Sequence, residues 1–490
     1  MNDTHDLNLL LEARTPLIVL ETFEEIRALQ LLTRVAIKRA SALHCWSVTD
    51  GINQVGFGQR IDDSRDLSDP EQALRAIKQQ AQPALIALCD FHPYLTNPLI
   101  VRLVKDIALL DDKQRPTLVM ISHQVKLPPE LTRLAAYFSL SLPTDQQLEA
   151  IVREEARSWA GENSGHRVRT DQKTLTQLMT NLQGLSFEDS RRLIRNAIRD
   201  DGAIDESDLP EINRAKFQLM DMEGVLSFEY NTEKFSNVGG LHGLKDWLQQ
   251  RKGAFLNANG TDKPKGVMLL GVQGGGKSLA AKAIAGVWGL PLLRLDFAAL
   301  YNKYIGETEK NLREALQLSE LMSPCVLWID EIEKGLTNGQ GDDGTSRRIQ
   351  GTLLTWLSER SKPVFVCCTS NDISSLPPEL VRKGRLDEIF FVDLPDESVR
   401  RDIFEIHLKK REQSPERFDL PLLSAASHGF SGAEIEQAIV SALYSCAAQD
   451  KTLDSASLLS AIEQTRPLSV VMAEKIQGLR DWAQGRTVAA

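Results

Sequence analysis

Residues 266–278 read Gly-Val-Met-Leu-Leu-Gly-Val-Gln-Gly-Gly-Gly-Lys-Ser, an apolar strand-like run entering Gly271-x4-Gly276-Lys277-Ser278. This is the spacing of a phosphate-binding loop, and it needs a strand before it and a helix after it. The glycines let backbone N–H groups curl around a polyphosphate without side-chain clash. Lys277 is placed to reach the outer phosphates, and the Ser278 hydroxyl to bind Mg²⁺. The helix-forming run Leu279-Ala-Ala-Lys-Ala-Ile-Ala points its positive end at the anion. Gly274, Gly275, Gly276, Lys277, Ser278 and Leu279 are therefore the candidate nucleotide-binding residues of the loop.

At 490 residues the chain is long enough for two or three domains. Its 57 basic and 67 acidic residues leave a net charge of −10, so no global basic field draws it to nucleic acid or an anionic membrane. The start, Met1-Asn-Asp-Thr-His-Asp, lacks a basic n-region, and no apolar run approaches the length of a membrane span. A cytoplasmic protein is expected. The six cysteines make no CxxC pair and read as reduced core residues. The eight histidines show no metal-ligand spacing. His44, His92 and His123 all fall in the first half, but their positions do not say that they converge.

Apolar runs alternate with helical-period runs, which predicts an α/β fold. Strands are expected at Leu17–Glu21, 43–48, 84–89 and 117–122, then at 266–270, 291–295, 325–329, 364–368 and 389–393. The halves echo each other. Leu127-Pro-Pro-Glu-Leu recurs as Leu376-Pro-Pro-Glu-Leu, Leu140-Ser-Leu-Pro as Val392-Asp-Leu-Pro, and Gly184-Leu-Ser-Phe as Gly429-Phe-Ser-Gly. Three near-equal offsets in the same order point to an internal duplication. The first copy has Glu21-Thr-Phe-Glu-Glu where the second has its glycine loop, and Asp90-Phe-His where the second has paired acids. It is not expected to hydrolyse a nucleotide. Asp90 reads either as a relic of a metal-binding acid or as a structural strand-end residue.

The apolar run Pro324-Cys-Val-Leu-Trp-Ile ends in Asp330-Glu331, which projects beside the glycine loop in an open parallel sheet. Asp330, with Ser278, is the candidate Mg²⁺ ligand. Glu331 is placed to polarise an attacking water. Asn371 ends the next strand, where its amide can bond that water or the outer phosphate.

In this order the motifs resemble the AAA clade of AAA+ ATPases over roughly residues 232–465. The resemblance implies a P-loop NTPase parallel sheet with a helical lid, preceded here by a degenerate AAA-like α/β domain. Phe235-Ser-Asn-Val238-Gly239-Gly-Leu is similar to the segment that packs against adenine. Lys303-Tyr304-Ile305 is similar to a pore loop, in which Tyr304 grips an extended polypeptide. Lys303 suits an acidic peptide or a nucleic acid strand equally. Glu379 to Asp387 resembles the segment that supplies the arginine fingers Arg382 and Arg385 to a neighbouring subunit. Gly429-Phe-Ser-Gly432-Ala433 resembles the start of the lid helix, and His407 is placed to approach nucleotide. The loop interior Val272-Gln-Gly-Gly departs from the usual proline-containing version, and Ser278 stands where threonine is usual. Neither change removes the geometry or the hydroxyl.

The whole chain is similar to an AAA ATPase family encoded by a conserved reading frame in plastid genomes, with cyanobacterial and other bacterial relatives. For plastid-encoded relatives the location is the chloroplast stroma. The resemblance implies ATP and Mg²⁺, a homo-oligomeric and usually hexameric ring, and a protein or macromolecular complex as substrate. The alternative is an ATP-dependent switch or scaffold with low turnover. The acidic net charge counts against a nucleic-acid motor. The expected organisation is a degenerate domain over 1–199, a linker over 200–234, a large ATPase subdomain over 235–396, a helical lid over 397–466 and a tail over 467–490. The tail carries a helical stripe of Leu468, Val471, Met472, Ile476, Leu479 and Trp482, expected to pack on the lid or a neighbour.

Overall fold

A computed structural model describes residues 3–55, 66–80, 82–219, 225–229, 238–256, 263–301, 308–336, 343–373, 376–380, 382 and 384–490. The chain divides into two units. The first is Met1–Ile151 with Leu185–Arg192, and the second is Val152–Gly184 with Leu193–Ala490.

The first unit contains β1 (Leu17–Glu21), β2 (Ala42–Ser47), β3 (Gly51–Gln54), β4 (Ala84–Cys89), β5 (Thr117–Ser122) and β6 (Ala135–Phe138), in the order β3-β2-β4-β5-β1-β6. All pairings are parallel except that of the edge strand β3 with β2. The central strands are continuous apolar runs because both faces of the sheet are covered. Leu17 and Val19 of β1 join one core cluster, and Ile18 and Leu20 join the opposite one.

In the second unit β7 (Arg169–Thr170) and β8 (Ala203–Ile204) form a small parallel pair. The main sheet comprises β9 (Leu226–Phe228), β10 (Gly266–Gly271), β11 (Leu292–Leu295), β12 (Cys325–Ile329), β13 (Val364–Ser370), β14 (Glu388–Val392) and β15 (Val488–Ala489). Their order is β15-β14-β10-β13-β12-β11-β9. Numbered by chain order within each sheet, the five central parallel strands run 2-3-4-1-5 in both units. Each sheet also carries one antiparallel strand beside its second strand, β3 in the first and β9 in the second. The duplicated motifs thus sit on a duplicated topology.

After β14 come the helices Glu397–Lys409, Leu420–Ala426, Gly432–Ala447 and Ser455–Gln464, packed around Phe404, Leu408, Leu423, Ile435 and Ile439. The third of these starts with a capping box. Ser431 accepts from the Glu434 N–H, and Glu434 accepts from the Ser431 N–H, which ties down two otherwise unpaired donors.

The tail differs from its expected single stripe. It breaks at Met472 (φ −119°, ψ 32°) into Leu468–Val471 and Ala473–Ala483, and Val471 is exposed. The Leu468 N–H reaches Glu434 of the lid, while Leu479 enters the core cluster of β10, β12 and β13. Arg480 binds both carboxylate oxygens of Asp393 (2.9 and 3.1 Å). The chain then adds β15 beside β14. No helix among the described residues is long and apolar enough to cross a membrane.

Candidate functional site

The loop after β10 turns at Gly274 and Gly276, whose φ values of +75° and +93° are open to glycine at little cost. Gly274 is also crowded. A Cβ there would sit 2.9 Å from Ser431 Oγ and 3.2 Å from the Ala433 Cβ. The reason is that the helix Gly432–Ala447 begins on the loop, with the Ala433 N–H donating to the Gly274 carbonyl (3.3 Å). The helix Lys277–Trp288 starts directly behind the loop and buries Lys277. The Lys277 ammonium donates to the carbonyls of Gly271 (2.9 Å) and Val272 (2.7 Å). Burial pushes its pKa down to about 8, against the raising influence of Glu333, Asp330 and Glu331.

β12 and β13 deliver the acids and the amide. Ser278 Oγ donates to Asp330 Oδ1 at 3.3 Å, and Thr369 Oγ1 donates to the same oxygen at 2.6 Å. Thr369 Oγ1 in turn accepts the Glu331 N–H (2.9 Å), so one hydroxyl spaces the two acids. Glu331 adopts φ +48°, an uncommon backbone state for a residue with a side chain. Asn371 Nδ2 donates to Glu331 Oε1 (3.1 Å), Lys334 pairs with the other Glu331 oxygen, and the buried Glu333 accepts the Asn371 N–H (3.0 Å). Arg294 of β11 lies 3.6 Å from the second oxygen of Asp330.

These groups face one cavity of about 1130 Å³ within the second unit. Val238, Gly239, Gly274–Leu279, Asp330, Glu331, Asn371, His407, Gly432 and Ala433 all line it. The lid helix Glu397–Lys409 forms part of the opposite wall, and a Cβ at Gly239 would lie 2.8 Å from Ile403 of that helix. His407 Nδ1 stands 3.5 Å from Glu436, and burial lowers its pKa. Ser278 and Asp330 offer hard oxygen donors at one point of the cavity, the donor set Mg²⁺ prefers.

Arg382 and Arg385 do not line the cavity of their own chain. Arg382 is exposed, and Arg385 donates to the Glu379 carbonyl and to Ser358 Oγ (3.3 Å). Lys303, Tyr304 and Ile305 lie outside the described residues, as do Phe235–Asn237 and 337–342. Sequence reasoning missed Thr369, Glu333, Lys334 and Arg294. Each acts by contact with a recognised residue and belongs to no pattern of its own, although Lys334 could have been flagged as an i,i+3 partner of Glu331.

The corresponding corner of the first unit has other chemistry. Glu21 pairs with Ser122 as Leu270 pairs with Ser370, and Leu88 with Met120 as Ile329 with Cys368. On that register Cys89 takes the place of Asp330, Asp90 that of Glu331, and His123 that of Asn371. Asp90 shares the left-handed backbone (φ +50°) of Glu331. The register therefore does not make Asp90 a relic of the metal-binding acid. Where the glycine loop would be, buried Glu24 precedes the helix Glu25–Arg39 and accepts from Arg27 (2.8 Å) and from the Glu188 N–H (3.0 Å). Arg27 also bonds Asp3 (3.2 Å) and the Ser141 carbonyl (2.7 Å), and lies 4.2 Å over the Phe187 ring. Here the loop positions are taken by Glu24 and Arg27, which bond each other and line a cavity of about 470 Å³.

Strand order, glycine loop, paired acids and lid helix together define an AAA ATPase. Family profiles agree. The family "ATPase family associated with various cellular activities (AAA)" matches residues 267–394, and the N-terminal and second domains of SpoVK-like AAA ATPases match 3–140 and 146–223. The chain belongs to the ycf46 family of AAA domain-containing proteins. It is 36% identical over 496 residues to the ycf46 protein of Trieres chinensis, covering 99% of this chain and 97% of the relative. The ycf46 protein of Pyropia yezoensis is 37% identical, at 99% and 98% coverage. The proteasome-activating nucleotidase of Aeropyrum pernix is 34% identical over 215 residues, 42% of this chain and 52% of that one.

Proposed function

We propose that the chain is a Mg²⁺-dependent ATPase that works as a homo-oligomeric, six-membered ring and remodels a protein or a macromolecular complex. The observation that carries this reading is the convergence of Lys277, Ser278, Asp330, Glu331 and Asn371 on one cavity faced by the lid helices. In this reading Val238 and Gly239 meet adenine with His407, and the loop N–H groups with Lys277 hold the phosphates. Ser278 and Asp330 hold Mg²⁺, which when bound neutralises charge on the phosphates. Glu331, positioned by Asn371, takes the proton of the attacking water. Arg382 and Arg385, outside their own cavity, serve a neighbour's site, and Lys303, Tyr304 and Ile305 contact substrate. Residues 1–199 form a degenerate domain for docking or regulation, 200–234 a linker, 235–396 the ATPase core, 397–466 the lid and 467–490 the tail. A cytoplasmic location, or the stroma for plastid-encoded relatives, fits this reading.

A second reading, an ATP-dependent switch or scaffold with low turnover, is favoured by one contact set. Both oxygens of Glu331 are engaged, by Lys334 and Asn371, contacts that compete with a water for the carboxylate. The solution mass of Glu331→Gln with and without ATP·Mg²⁺ separates the two. A shift from 54.6 kDa to about six times that mass supports the ring. A monomer that binds ATP leaves the arginines without a neighbour to serve and favours the switch.

A further inference from the structure

We propose that Asp90, His92 and His123 of the first unit form a binding site for one divalent transition-metal ion of the zinc class. The three residues come from the ends of two strands. Asp90 follows β4, His92 lies two residues on, and His123 follows β5. One ligand atom from each lies within 4.8 Å of the others, and among the described residues this is the cluster of three with metal-binding side chains. The His92 and His123 rings meet edge to face with centroids 4.9 Å apart. Histidine spacing alone carries no sign of this convergence, which the register of β4 and β5 produces.

The hydrogen bonds set one ligand in advance. Buried Ser122 has a single hydroxyl proton, and it goes to Asp90 Oδ1 (2.9 Å). Its oxygen is 2.7 Å from His92 Nδ1, so Nδ1 carries the hydrogen and donates, leaving the Nε2 lone pair bare. This is the arrangement that outer partners impose on a metal-bound imidazole. The second oxygen of Asp90 remains as a carboxylate donor. His123 is exposed on its other side and stacks on Phe23, with centroids 5.9 Å apart.

Two imidazoles and a carboxylate suit zinc-class ions better than Mg²⁺ or Ca²⁺, which take oxygen donors. Three protein ligands leave a coordination position for water. Tetrahedral ligands about 2.0–2.2 Å from the ion stand roughly 3.4 Å apart. The ligand atoms, up to 4.8 Å apart, must draw together to that spacing, and the exposed Asp90 and His123 side chains are the ones with room to move. The register gives the site a further meaning. Asp90 and His123 stand where the second unit has Glu331 and Asn371, so the corner that addresses water and phosphate in one unit would hold a metal in the other.

The test uses tag-free, metal-stripped full-length protein titrated with ZnCl₂ by calorimetry and with Co²⁺ by visible absorption. One equivalent of Zn²⁺ tighter than about 10 µM is expected. The Co²⁺ protein should show ligand-field bands of a nitrogen-containing site. His92→Ala and His123→Ala should each weaken Zn²⁺ by at least tenfold, and Ser122→Ala by roughly tenfold through loss of orientation. Asp330→Asn, which alters the other unit, should leave this step in place. Absence of a saturable step tighter than about 10 µM, or a step that survives both histidine variants, overturns the site. The exposed His123 can be replaced without disturbing a core, and the Co²⁺ spectrum of the unaltered protein reads the ligand set without any variant.

Discussion

The two sheets share the strand order 2-3-4-1-5 and differ at the strand ends. After β10 the chain places three glycines and a lysine, the residues proposed above to cradle a phosphate. After β1 it places Thr22, Phe23 and Glu24, and Glu24 pairs with Arg27. After β12 two acids are spaced by Thr369, whereas β4 ends in a cysteine and only one acid follows. The difference teaches that topology preserves the position of a corner while a few residues decide its chemistry. A sheet core tolerates apolar exchange. A phosphate site does not tolerate loss of its backbone cradle or its cation.

The largest effects belong to the second unit. Lys277→Ala should weaken ATP binding at least 100-fold in a fluorescent-nucleotide titration. Glu331→Gln should keep that affinity and lose 10²–10⁴-fold in steady-state hydrolysis. Turnover surviving both changes would break the comparison and return the first unit to candidacy as the hydrolytic site. Next comes Arg27→Ala. It leaves Glu24 buried without its cation, at a cost of about 3 kcal/mol to the first unit in urea unfolding. Nucleotide affinity of the second unit should be unchanged, and a loss of affinity would show the paired corner to be more than structural filling.

Gly274→Ala tests the crowding between loop and lid. Strain at φ +75° and the contacts to Ser431 and Ala433 should together cost about 1.4 kcal/mol, or tenfold in ATP affinity. The smallest effect is protonic. Lys277 titrates near 8 in the free protein because burial disfavours its charge, and a phosphate beside it restores that charge. At about pH 8.5 part of the free population is neutral, so ATP binding should take up a fraction of a proton. At about pH 6.5 the lysine is already charged and contributes no uptake. Calorimetry in buffers of different ionisation enthalpy reads this difference, and equal uptake at both pH values would contradict the assignment to Lys277.

Much of this was legible in the sequence. The continuous apolar runs at 17–21, 84–89, 117–122, 266–271, 325–329 and 364–370 are strands because two-faced burial leaves no alternative pattern. The repeated Leu-Pro-Pro-Glu-Leu marks equivalent turns. Three kinds of feature were not legible. The short edge strands β3, β9 and β15 carry too few residues for a periodic signal. Thr369 and Arg294 matter only through side-chain contacts across neighbouring strands. His92 and His123 meet because the register of β4 with β5 aligns the two strand ends, which no local spacing encodes. The tail keeps its contact with the lid and the burial of Ile476 and Leu479, but not one continuous stripe. At Met472 the backbone leaves the helix and resets the phase of the stripe.

The final residues have a consequence for behaviour in solution. β14 carries Ile389, Phe390, Phe391 and Val392, and its outer backbone edge is paired by Val488 and Ala489, with the Ala490 N–H donating to the Phe391 carbonyl. An apolar strand with a bare edge recruits the strand of another molecule. Val488, Ala489 and Ala490 therefore work as a strap on their own sheet, pairing the β14 edge from within the chain rather than leaving it to a neighbour.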